Sequence, residues 1–171
     1  MSGTPLPKDG KKALAETLPA ADLQMLTVML GDRAVVLDAE SPQISAKDSK
    51  LGPTDAFLIS KWMQADMPKE TLTAIHLSGC LISGSRNMAQ AYAEPRYEFD
   101  TDLSGLQSLL SAIEALPNVR TLDMGNNLFG DEAVLCLTSS LDWDSTKLEV
   151  RPENIADFKR TVISVLTNFT D

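Results

Sequence analysis

The stretch Val119-Arg-Thr-Leu-Asp-Met-Gly-Asn-Asn-Leu-Phe129 puts apolar side chains at 119, 122, 124 and 129 and an amide at Asn127. The same offsets recur in Leu72-Thr-Ala-Ile-His-Leu-Ser-Gly-Cys-Leu-Ile82, with Cys80 in the place of Asn127. Each copy reads as a short strand followed by a turn, because alternate residues around Ile75 and Leu122 are apolar. At the turn, Asn127 can bond backbone groups that would otherwise be buried unmet. Cys80 offers weaker bonding in a smaller, less polar side chain.

Helical signals lie between these stretches. Leu103, Leu106, Leu109, Leu110, Ile113 and Leu116 recur at three- and four-residue steps, which makes one buried stripe. Asp102 stands ready as the N-cap and Pro117 as the stop. Gly130-Asp131-Glu132 opens another helix, its acids suited to the positive end of the helix dipole. Pro53-Thr54-Asp55 opens a third, with Phe57, Leu58 and Trp62 on one face. Weaker copies of the template begin at 34 and 145, so strand–helix units start at 34, 72, 119 and 145. The last helix carries Ile155, Phe158, Val162, Leu166 and Phe169.

Residues 119–137 resemble a repeat of the ribonuclease-inhibitor type of leucine-rich proteins, and 72–82 is similar with Cys80 in the asparagine position. The resemblance implies an α/β fold: a short leucine-rich-repeat solenoid of right-handed strand–helix units, its parallel sheet on the concave face and its helices outside. Such an array needs its first strand covered. Leu23, Leu26 and Leu30 share one helical face, so 13–31 is read as a helical N-terminal cap. The domain organisation expected is a flexible segment over 1–12 and one repeat domain over 13–171, interrupted by an insert over 83–101.

Composition narrows the role. Fifteen Lys and Arg against 24 Asp and Glu give a net charge of −9, which repels phosphate backbones and anionic lipid. Nucleic acid is therefore not an expected partner. The longest apolar stretch, Leu23 to Leu30, is too short for a membrane span. The N-terminal residues carry no secretory pattern, so a cytoplasmic location with Cys80 and Cys136 reduced is expected.

Catalytic chemistry finds no foothold in the motifs, and no enzyme activity, metal or cofactor is expected. Asp100-Thr-Asp102-Leu-Ser104-Gly105 copies the first half of a calcium loop, but the twelfth position, where a bidentate Glu belongs, is Ser111. His76 is the single histidine and has no triad or metal motif around it. Members of the resembled family mostly bind proteins. The expected role is thus a protein-interaction module or adaptor, with a structural subunit of a larger complex as the alternative. Contact residues expected on the concave strands are Asp38, Thr73, His76, Arg120, Asp123, Lys147 and Glu149. The insert adds Tyr92, Arg96 and Tyr97, since Arg and Tyr are favoured contact residues. A loop folding over the sheet edge is the other reading of that insert.

Overall fold

The computed structural model describes residues 7–18, 24–88, 96–140 and 149–150. Helix α1 spans Lys8–Thr17. Strands β1 (Met25–Leu30) and β2 (Arg33–Asp38) form an antiparallel hairpin. Then come β3 (Gln43–Ser45), α2 (Pro53–Met63), α3 (Asp66–Thr71) and β4 (Ala74–His76). A second antiparallel pair, β5 (Arg86–Asn87) and β6 (Tyr97–Glu98), precedes α4 (Ser104–Glu114), β7 (Thr121–Asp123), α5 (Asp131–Ser140) and β8 (Glu149–Val150).

Strands β3, β4, β7 and β8 pair side by side in that order, all parallel. Register aligns Ile44, Ile75 and Leu122 across the sheet. All three are buried. Period-two alternation puts these side chains on the inner face, against Leu58, Ile59 and Trp62 of α2 and Leu106, Leu109 and Ile113 of α4 in one core. The next inward positions, Ala46, Leu77 and Met124, extend the core past the strand ends.

The expectation of a short leucine-rich-repeat solenoid with a helical N-terminal cap is overturned. Among the described residues the chain is a mixed α/β fold with three small separate sheets, two of them antiparallel pairs. Residues 25–30, read as cap helix, are a strand, and residues 33–38, read as the first repeat strand, are its antiparallel partner. The physical reason is alternation: Val28, Leu30, Val35 and Leu37 are buried while Thr27, Ala34 and Val36 are exposed. Leu30-Gly31-Asp32-Arg33 supplies the two-residue turn. Gly31 has φ +59°, and a Cβ there would stand 1.7 Å from the Ser49 carbonyl oxygen, so only glycine fits. Helix does occur near the N-terminus, but it begins at Lys8, within the stretch read as flexible.

Asp55 ties these N-terminal parts together. Its carboxylate pairs with Lys11 of α1 and accepts the Gly31 amide of the hairpin turn and the Gly52 amide before α2, each at 3.1 Å. The reach back from Asp55 to Gly52 is half of a capping box. Both charged side chains are buried, and burying either alone would be costly.

Candidate functional site

Two equivalent turns close the inner side of the parallel sheet. Asn127 Nδ2 donates to the carbonyls of Leu77 and Met124, each at 2.8 Å, and to that of Gly125 at 3.2 Å. One strand earlier, Cys80 Sγ donates to the Ala46 carbonyl at 3.2 Å and lies 3.7 Å from Ser49 Oγ. In each turn the side chain bonds the carbonyl just past the end of the preceding strand. Burial above all, with the negative charge of Asp48, pushes the Cys80 thiol up, outweighing its bonds with Ser49 and Leu51. A thiol held protonated in this way is a poor nucleophile.

The opposite face of the sheet is graded in exposure: Gln43 and Ser45 are exposed, Ala74, His76 and Thr121 half-buried, and Asp123, expected to point outward to a partner, is buried. Gln43, Ala74 and Thr121 form one row across it; Ser45, His76 and Asp123 form the next. Lys47 reaches over from beyond β3, and its Nζ donates to Asp123 Oδ2 at 2.7 Å. His76 Nδ1 lies 3.7 Å from the same oxygen, beyond hydrogen-bond reach, and is buried without a hydrogen bond. The Gly125 amide donates to Asp123 Oδ1 at 3.3 Å. Burial pulls the Asp123 carboxyl up, but the bonds from Lys47 and Gly125 and the charges of Lys47 and His76 outweigh it, so the carboxyl sits below its ordinary value. The result is a fixed anion on a rigid strand with two nitrogen groups converging on one oxygen.

The insert makes a second surface. The β5–β6 pair is stapled by Arg86, whose Nε and Nη2 lie 2.9 and 2.8 Å from Glu98 Oε2. Tyr97 and Phe99 stack at 5.7 Å between ring centroids. These rings remain 43% and 50% exposed, and Met88 is 50% exposed. Behind them, Asp100 anchors the hairpin to α5: its carboxylate accepts the Gly130 and Ala133 amides, each at 3.0 Å. Ser85 Oγ accepts the Asp100 amide at 2.9 Å, and Thr101 Oγ1 donates to the Gly84 carbonyl at 2.8 Å. A Cβ on Gly130 would come within 2.5 Å of the Asp100 carboxylate, so this approach also requires glycine. Asp102 accepts the Ser104 amide and hydroxyl at the start of α4. The carboxylates that mimic a calcium loop are therefore occupied by amide and hydroxyl donors at the starts of α4 and α5.

The structure brings Thr73, His76, Arg120 and Asp123 together on and beside the sheet. Thr73 and Arg120 stand one residue before or at the approach to their strands, linked by the Arg120 amide donating to the Thr73 carbonyl at 2.8 Å. The Arg120 guanidinium turns back onto the carbonyls of Pro117 and Val119. Asp38 is a correction: it ends β2 in the N-terminal hairpin, opposite Met25, and accepts the Glu40 amide at 3.0 Å. It is not a strand residue of the parallel sheet. Glu149 pairs with Thr121 through β8. Arg96 and Tyr97 are both exposed on the insert. Lys147 and Tyr92 lie outside the described residues, as does the helix expected over 155–169.

Sequence reasoning missed Lys47, Ser45, Thr121 and Phe99. Strict alternation about Ile44 and Leu122 was the available signal for Ser45 and Thr121. Among the described residues no cluster of three or more His, Cys, Asp or Glu could hold a metal ion, and no helix is long and apolar enough to cross a membrane. No protein-family profile matches the sequence, and no curated protein matches it significantly.

Proposed function

We propose that the chain is a protein-binding module that uses the insert hairpin and the polar outer face of the parallel sheet. One observation carries this reading: Met88, Tyr97 and Phe99 stay half exposed on a hairpin pinned by an ion pair and by Asp100. Apolar and aromatic surface held in water on a rigid scaffold is what contact anchors require. The sheet face adds polar groups fixed on strands, which favour selective recognition. The net charge of −9 argues for a partner other than nucleic acid.

A photo-crosslinking amino acid placed at Tyr97 and, separately, at Thr121 tests the reading in source cells. A discrete adduct to one partner protein from either position is the expected result, with none from the same group at exposed Glu16 on α1. Absence of any adduct from both positions counts against it.

A second reading is a structural subunit of a larger assembly. It is favoured by the outer face of the N-terminal hairpin, where Met25 and Val36 are also exposed. Cross-links at Val36 to a stable stoichiometric complex, with none at Tyr97, would select that reading.

A further inference from the structure

Resting on the interaction reading of the insert, the geometry points to a basic amphipathic segment as its partner, docking where the hairpin meets α5. Phe99 lies against Gly130: a Cβ on that glycine would be 2.8 Å from the Phe99 Cβ. Two residues before Gly130, Leu128 is 40% exposed, and one turn into the helix Leu135 is 65% exposed, more than any other large apolar side chain among the described residues. Asp131 and Glu132 stand four and three residues before Leu135, hence on its side of the helix. Both are exposed. Asp100 is engaged with the Gly130 and Ala133 amides and leaves these two acids to face outward.

Around the start of α5, Phe99, Leu128 and Leu135 are thus exposed apolar side chains, with two carboxylates on the helix side of Leu135. The last turn of α5 carries no basic residue. Of the hairpin's two described arginines, Arg86 is held by Glu98. Arg96 is three residues from Phe99 along an extended strand, about 10 Å away. A segment with apolar residues on one face and Lys or Arg beside them complements these side chains in both hydrophobicity and sign. An acidic segment meets like charge.

Fluorescence anisotropy with the full chain tests the assignment, using three short amphipathic helical peptides that share a leucine face. Their polar faces are lysine, glutamine or glutamate. The lysine peptide is expected to bind tightest. Affinity should fall about tenfold for Asp131→Lys/Glu132→Lys, the size of one lost favourable contact, and comparably for Leu135→Ser. The charge-matched control Glu16→Lys/Glu40→Lys should leave affinity unchanged, and circular dichroism confirms that each variant is folded. Equal or tighter binding of the glutamate or glutamine peptide overturns the basic-segment assignment while leaving the protein-binding role intact. An equal loss in the control pair overturns it as bulk charge attraction, and no binding by any peptide overturns it outright. The protein-binding role itself stands or falls separately, on the cross-links from Tyr97 and Thr121.

Discussion

Around Ile44, Ile75 and Leu122 the meeting side chains are apolar and buried, whereas the β5–β6 hairpin is fastened through Asp100, Ser85 and Thr101 and keeps its rings half exposed. The first region has its stability spread over many apolar contacts, none of them individually directional. The second depends on a few directional bonds at its base. Removing a side chain from the first should weaken the whole fold. Removing one from the second should loosen a part or change what binds, since local openings cost less than global ones.

The largest effect is expected from Ile75→Ala, which opens a cavity at the centre of the parallel sheet and should cost about 2–5 kcal/mol in chemical denaturation. Next is Asn127→Ala, which leaves the carbonyls of Leu77, Met124 and Gly125 without the side-chain donor that serves all three. About 2 kcal/mol is expected by the same measurement, and Cys80→Ala should cost less because a thiol donates weakly. Asp100→Ala should cost about 1 kcal/mol globally, yet hydrogen exchange should rise sharply at the Gly130 and Ala133 amides and across β5 and β6. A uniform rise through the parallel sheet instead would erase the contrast between the two regions. Phe99→Ser should cost about 1 kcal/mol or less, mainly the lost ring contact with Tyr97, while weakening partner binding.

The smallest effect concerns acid. The Asp123 carboxyl lies below its ordinary value of 3.8 in the folded chain. It therefore binds its proton more weakly folded than unfolded, and its contribution is fully present above that value. The contribution is lost as pH falls from 3.8 towards the folded value. Asp123→Asn should flatten that part of a stability-versus-pH curve and leave the neutral region sloping as before.

Local patterns in the sequence were enough to locate the parallel strands at Ile75 and Leu122, because their apolar neighbours sit at fixed short offsets. The same holds for α4, expected over Leu103 to Leu116 and found as Ser104–Glu114; the N-cap is Leu103 rather than the expected Asp102, whose carboxylate still accepts the Ser104 amide. The N-terminal hairpin is ambiguous in sequence because Leu23, Leu26 and Leu30 fit a helical face, while Gly31-Asp32 and the alternation from Val28 to Leu37 fit a hairpin. The second pattern prevails because it buries Val28, Leu30, Val35 and Leu37 together. The candidate sites were legible only in part. His76 and Asp123 share a face through strand period alone, but Lys47 joins Asp123 from far along the chain, and Asp100 reaches α5 across 30 residues. Contacts of that kind leave no local periodicity to read.

The carboxylate of Asp55 also bears on how the hairpin can move. By holding the Gly31 amide at the turn's apex while gripping α1 and α2, it fixes which residue of β1 faces which residue of β2. A slip of one position would turn the buried residues of one strand outward, either Val28 and Leu30 or Val35 and Leu37, and carry Gly31 away from its acceptor. Strand exchange between two molecules through this turn is disfavoured for the same reason: unbending residues 31–32 would strip an amide from a buried, charged acceptor.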